Sequence, residues 1–347
     1  MKFITAISKE VKVMNFKIDK LFADSSQRRT FWAIVQKEFS DYISSWRIII
    51  LLAIILLTCI GSLYTAVTTI QDAIKASENA ENIGRHSYLF LQLFTTSDGT
   101  LPSFITFVGF LGPLLGIALG FDAINSERNR GTLSRLMAQP IPRDYVINGK
   151  FVASLLLNTI LFFALGFLVM GLGILVLGIP PTVEEFFRII SFLILCIVYI
   201  AFWLNLGILF SVLFRQAATS ALASIAIWLF YTVFYSMLIN VIARPILTSP
   251  SIQTVSDVIS RQGLILNLHR LSPNYLFSES TTTLLSPNVR SLGPLTMEQT
   301  IGAVASPLPL SQSLLLIWPQ LTGMIAATMI CFTIAYVLFL RQEIRAH

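Results

Sequence analysis

Six long apolar runs govern what this 347-residue chain can fold into. They cover Ile48–Ile70, Ser103–Phe121, Phe151–Gly178, Phe187–Phe214, Thr219–Ile242 and Leu314–Leu340. Each is long enough to cross a hydrocarbon layer roughly 30 Å thick, which takes about 20 apolar residues as a helix. Only 12% of the residues are charged, against about 25% in a soluble domain. An open sheet leaves its backbone unsatisfied in lipid, so the runs are read as helices. The expected fold is an all-α polytopic membrane protein with about six transmembrane helices.

The distribution of Lys and Arg sets the orientation. With both termini cytoplasmic, nine basic residues lie in the N-terminal arm: Lys2, Lys9, Lys12, Lys17, Lys20, Arg28, Arg29, Lys37 and Arg47. Five more lie in the loop after the second run (Arg128, Arg130, Arg135, Arg143, Lys150). Arg215 and the tail residues Arg341 and Arg345 bring the inner side to 17 of 24. The other seven are thinly spread over the outer loops. The net charge of +6 is then the basic inner face of a membrane protein and gives no reason to expect nucleic acid. Cys59, Cys196 and Cys331 sit singly inside apolar runs, where free cysteine behaves as a small hydrophobe. His86, His269 and His347 are scattered, so no metal site is expected.

Residues 1–47 read as a cytoplasmic arm ending in an interfacial amphipathic helix. In Thr30–Arg47, Phe31, Val35, Phe39, Tyr42 and Trp46 form one stripe, opposite Gln36, Lys37, Ser40, Asp41 and Ser44. Lys9, Glu10 and Lys12 interrupt any signal-peptide core, and Met14 is a second candidate start. Residues 48–347 form the membrane domain. Its outer side has a polar loop near Gln71–Pro102, a tight turn around Ile179–Glu185 and a long segment over 243–313. The apolar pieces Leu264–Leu268 and Tyr275–Phe277, set between prolines, predict short surface helices there, some dipping into the outer headgroup layer.

Between the apolar runs, charge is most concentrated in the cytoplasmic loop over 122–150. Asn125 or Ser126 is placed to cap a helix, Glu127 suits its first turn, and Pro140 and Pro142 end it after Met137. Leu133, Leu136 and Met137 make an apolar stripe, with Arg128 and Arg135 on another side. Gly131 falls in mid-helix, where it costs roughly 1 kcal/mol relative to alanine and suggests close approach of another backbone. Residue chemistry alone leaves two readings, a lever helix that docks on a partner and a solvated basic loop.

The run Phe121-Asp122, Glu127-Arg128, Arg130-Gly131-Thr132-Leu133, Pro140, Arg143 and Gly149-Lys150 resembles the loop between the second and third spans of ABC-2 type transporter permeases, their NosY-like branch in particular. Leu271–Ser280 before the last span and the ending Arg341-Gln-Glu-Ile-Arg345 are similar to the same branch. The resemblance runs from the arm near Thr30 to the tail. It implies a coupling helix docking on a separate ATP-binding subunit, with two permeases and two ATPase subunits in the working unit. ATP and Mg would be bound by that partner and no cofactor by this chain. Glu127, Arg128 and Arg130 become contact and ion-pair candidates, Gly131-Thr132 the close-packing point, and Leu133 and Arg135 part of the docking helix. Arg143 and Lys150 would anchor the return to the membrane, and the resemblance implies the plasma (inner) membrane of a prokaryote as the location.

A G-x-x-x-x-G-K-[ST] phosphate loop is missing, since Gly149-Lys150-Phe151 lacks the upstream glycine and the hydroxyl residue. ATP hydrolysis is therefore expected in the partner. No charged residue lies deep in a run, which argues against an ion relay. Within the membrane, Gly112, Gly116 and Gly120 repeat every four residues, which permits close helix packing. Ser224, Trp228, Tyr231 and Tyr235 share a stripe that would either line a translocation path or pack against neighbouring helices. Asn158, Asn205 and Asn240 are read as interhelical hydrogen-bonding groups. The resulting expectation is a permease subunit, an exporter, in which the helix near Glu127–Ala138 is pushed by the ATPase and the second and fifth spans re-pack. A membrane scaffold binding another cytoplasmic partner and a gradient-driven carrier are the alternatives.

Overall fold

A computed structural model describes residues 28–78, 88–97, 99, 101–139, 141–178, 180–247, 255–287 and 308–342. Among them every regular element is helical. Helix α1 covers 28–43. It is followed by α2 (Trp46–Glu78), α3 (Leu89–Thr95), α4 (Phe104–Gly120), α5 (Asn125–Asn129), α6 (Thr132–Met137) and α7 (Arg143–Leu177). Then come α8 (Val183–Leu213), α9 (Ala217–Leu229), a π-helical turn (Phe230–Phe234), α10 (Tyr235–Leu247), α11 (Val255–His269), α12 (Pro273–Leu285) and α13 (Leu310–Arg341). Six helical stretches are long and apolar enough to cross a membrane: α2, α4, α7, α8, α9 with α10, and α13.

Helix α8 is the centre of the bundle. It packs on α4, α13, α7, α12 and α9, and Ile189, Phe192, Cys196, Tyr199, Trp203 and Val212 along it are fully buried. Its start is fixed by a capping box, in which Thr182 Oγ1 accepts from Glu185 N and the Glu185 carboxylate accepts from Thr182 N. The glycine repeat on α4 meets α8 directly. A Cβ on Gly116 would stand 2.8 Å from Ile200 O, and one on Gly120 would stand 2.5 Å from Leu204 O. At Gly112 the neighbour is Ile200 Cγ1, 3.1 Å away. The repeat therefore lets two backbones touch, as its spacing suggested.

Two boundaries differ from the sequence reading. The third span starts at Arg143 rather than Phe151, because Pro142 has the extended backbone of an N-cap and Asp144 sits in the first turn. The last two turns of the expected loop are thus helix. On the outer side, α12 is not a surface helix. Ser272 Oγ caps it and Pro273 opens it, while Phe277, Thr281, Leu284 and Leu285 are buried. Phe277 stacks on Tyr199 with centroids 4.2 Å apart. Tyr199 lies sixteen residues along α8, roughly 24 Å from its outer start at 1.5 Å per residue. At its other end, Leu284 O accepts from Arg188 one turn inside α8. The chain therefore enters the bundle through α11, which packs on α10, and returns through α12, a re-entrant hairpin with its turn deepest. The final part of the outer segment, and the start of the arm with Met14, lie outside the described residues.

Arg188 closes the outer end. It is fully buried, and it donates to Glu184 (2.9 Å), Leu284 O (2.8 Å) and Ser313 Oγ (3.2 Å). Its guanidinium also lies over the Tyr88 ring, 5.7 Å from the centroid. With Lys150 in α7, it shows that charge does enter the long helices, these two cations sitting one or two turns from the helix ends and each paired with a carboxylate.

Candidate functional site

At the inner end the chain leaves α4 through a turn over 121–124 and enters α5. Neither Asn125 nor Ser126 caps that helix with its own side chain. Ser211 of α8 does the work instead, its hydroxyl accepting from Ile124 N (2.8 Å) and Asn125 N (3.1 Å). The loop start is thereby held to the inner end of the central helix.

The sequence placed one helix over Glu127–Ala138. The structure has two short ones, split at Gly131, whose φ of +67° is the left-handed conformation that glycine adopts without strain. A Cβ there would meet nothing within 4 Å. Backbone conformation, and not close approach within this chain, explains that glycine. Thr132 Oγ1 bridges the break by donating to Glu127 O at 3.2 Å.

The ionic groups then separate into an inner and an outer set. Lys150, only 4% exposed, donates to Glu38 of α1 at 2.7 Å and to Glu127 of α5 at 2.8 Å. Lys37 joins from the rim, 2.9 Å from Glu38 and 3.2 Å from Asp41. Burial by itself would push the Glu38 carboxyl up. The Lys150 ammonium, its hydrogen bond and Lys37 outweigh that and hold it below the usual carboxylate value. Three elements distant in sequence are thus tied at one cation. Arg128 donates to Gln342 just after α13, and Gln342 Nε2 donates to Val212 O at 2.8 Å. Asn129 Nδ2 reaches Arg215 O at 3.1 Å. Arg47 pairs with Asp122 at 2.7 Å.

Glu127 and Arg128, read from sequence as contact residues for a partner, accordingly point into their own subunit, and Leu133 is 1% exposed. Lys150 ties helices together rather than marking the membrane surface. Arg130, Gly131, Thr132, Arg135 and Arg143 remain exposed. The loop's acids are drawn inward, so its outward face is cationic. Glu38, Ser211 and Gln342 went unnoticed in the sequence. Glu38 alone left a sign, as an acid beside the apolar stripe of α1. In that stripe Val35 is buried and Phe39 and Tyr42 pack on the core, while Trp46 belongs to α2 and is exposed.

The stripe on the fifth span is engaged in packing. Ser224 and Trp228 are buried, and Trp228 meets Phe110 edge-on at 4.9 Å. Tyr231 meets Trp203 at 6.4 Å, and Tyr235 donates to Leu268 O of α11 at 2.6 Å. Asn205 Nδ2 reaches Thr328 O at 3.4 Å, both amide atoms of buried Asn158 lack a partner, and Asn240 is exposed.

Comparison with known proteins places this geometry in a family. Residues 32–344 match the model of the ABC-2 family transporter protein. A probable ABC transporter permease protein NosY from Stutzerimonas stutzeri is 31% identical over 150 residues, 43% of this chain and 47% of that protein. Its namesake from Pseudomonas aeruginosa is 27% identical over 217 residues, 59% of this chain and 68% of that protein. The matched region thus spans about half the length of the first relative. With six membrane-crossing helices and a family match over nearly its whole length, this integral membrane protein belongs to the ABC-2 transporter family.

Proposed function

We propose that the chain is the transmembrane permease subunit of an exporter, driven by a separate ATP-binding subunit that docks on α5 and α6. The observation that carries this reading is the division of charge in the inner loop. Glu127, Arg128 and Asp122 fasten the loop to α1, α2, α7 and the end of α13, whereas Arg130, Thr132, Arg135 and Arg143 face outward. A loop so fastened transmits a push to the helices instead of yielding to it. Its exposed arginines suit an acidic groove on the partner, where charge steers association and fixes register.

In this reading both termini are cytoplasmic, ATP and Mg belong to the partner, and two permease copies pair with two ATPase subunits in the plasma membrane. ATP binding brings the ATPase subunits together, the loop moves, and α4 and the fifth span re-pack to open a path outward. Ser224, Trp228, Tyr231 and Tyr235 become path-lining residues once their present contacts part.

The test is affinity purification in mild detergent, followed by mass measurement of copurifying proteins and their ratio. A near one-to-one protein with a phosphate loop is expected, and Arg130→Glu with Arg135→Glu should lower its recovery at least tenfold while membrane insertion is kept. Recovery of the chain alone, even after gentle crosslinking, would overturn the reading.

A further inference from the structure

Pro113 stands inside α4. It has no N–H to offer the carbonyl four residues earlier, that of Gly109, and a carbonyl left open in a helix is a point of bending. In this chain the missing donor comes from another helix. The Tyr199 hydroxyl of α8 lies 3.0 Å from Gly109 O. The same hydroxyl lies 2.9 Å from Oδ1 of Asn274, in the first turn of α12. It has one proton for two acceptors.

Asn274 has a second engagement. Its Nδ2 donates to Thr232 Oγ1 at 2.7 Å, and Thr232 lies in the π-helical turn Phe230–Phe234. Such a turn holds one more residue than the α-helix around it, and it marks places where a helix changes register. Phe277, one turn further along α12, stacks on the Tyr199 ring. It also lies against Gly109, 3.6 Å from where a Cβ would stand. The deep end of the re-entrant hairpin thus touches the proline break of α4 and the π turn through one amide and one phenol.

We propose that Tyr199 is the positioning residue of a hinge in α4 at Pro113, and that the hairpin sets this hinge through Asn274. With the phenol proton on Gly109 O, the outer half of α4 is braced. When the proton turns to Asn274, the brace is lost and the hairpin is held more tightly to α8. Movement of the hairpin against the π turn therefore alters the stiffness of α4, the helix that runs on into the inner loop.

The experiment is hydrogen exchange read by mass spectrometry on the full chain in lipid nanodiscs, without any partner subunit. Its failure would thus leave the transport reading standing, and failure of the transport reading would leave it standing in turn. Tyr199→Phe should speed exchange in Phe104–Gly112 about tenfold, the effect of one buried hydrogen bond. Pro113→Ala restores the backbone donor, so adding Tyr199→Phe to it should change that segment less than twofold. Asn274→Ala leaves the phenol wholly with Gly109. It should speed exchange in Phe230–Phe234 and leave Phe104–Gly112 at or below its original rate. Equal acceleration by Tyr199→Phe with and without Pro113 would overturn the proposal, since a general packing defect behaves that way. So would loosening of α4 by Asn274→Ala, the milder variant that serves if Tyr199→Phe does not fold.

Discussion

Lys150 is the residue on which most of the inner geometry converges. A buried ammonium is tolerated only with counter-charges in contact, and here two carboxylates from separate helices supply them. The arrangement is a poor source of net stability, and it is in this packing of α1, α5 and α7 that one ammonium meets both carboxylates. Lys150→Met leaves the buried Glu38 and Glu127 with only the half-exposed Lys37 as counter-charge and should cost about 3 kcal/mol, seen as a lower melting temperature in detergent. Adding Glu38→Gln and Glu127→Gln should return most of that loss. A Lys150→Met protein that melts with the parent would show the cluster to be solvated. The sign of the pH effect follows from Glu38. Its folded value lies below its ordinary 4.5, so its contribution is full above that value and is lost as pH falls through the depressed one. Melting temperature measured from pH 6 down to about pH 3 should therefore fall less steeply in Glu38→Gln than in the parent.

Among the elements, the α4–α8 contact and the α5–α6 break depend on glycine for different reasons. At Gly120 a side chain would collide with the Leu204 carbonyl, which is backbone and does not swing aside. Gly120→Val should force the two helices apart and cost more than about 2 kcal/mol, since overpacking alone costs 1–3. At Gly131 there is room, and only the left-handed backbone resists. Gly131→Ala should cost about 1 kcal/mol, and Gly131→Asn less, because asparagine tolerates that conformation. Matched denaturation midpoints of the three variants separate the two causes. Equal losses for alanine and asparagine at Gly131 would argue against backbone strain. This pair of sites also marks how far the sequence could be read. A four-residue glycine repeat inside an apolar run has one main use, and that use was found. A glycine between two short helical patterns fits a mid-helix site and a left-handed break equally well, and only the backbone decides. The start of α7 was missed because Asp144 and Lys150 resemble loop residues until Pro142 and the Lys150 pairs are placed.

For the molecule as a whole, the described residues join an outer fastening at Arg188 to an inner one at Lys150 through α8 and its neighbours. Both fastenings unite segments more than a hundred residues apart, Arg188 with Ser313 and Lys150 with Glu38, which is why local patterns did not show which groups pair. The apolar runs and the basic residues, by contrast, report on the solvent and could be read directly. The topology they predict has α5 and α6 inside and the start of α8 outside. The chain is well suited to testing it, because its three cysteines, Cys59, Cys196 and Cys331, are free and buried. A new cysteine at the surface should be the main site that a membrane-impermeant maleimide reaches. Val183, 74% exposed at the outer end of α8, and Gln139, exposed after α6, are the two positions to change. Val183→Cys should label in intact cells, whereas Gln139→Cys should label only after permeabilisation. The reverse pattern would invert the whole chain, set its basic loop outside, and remove the surface on which a cytoplasmic ATPase could act.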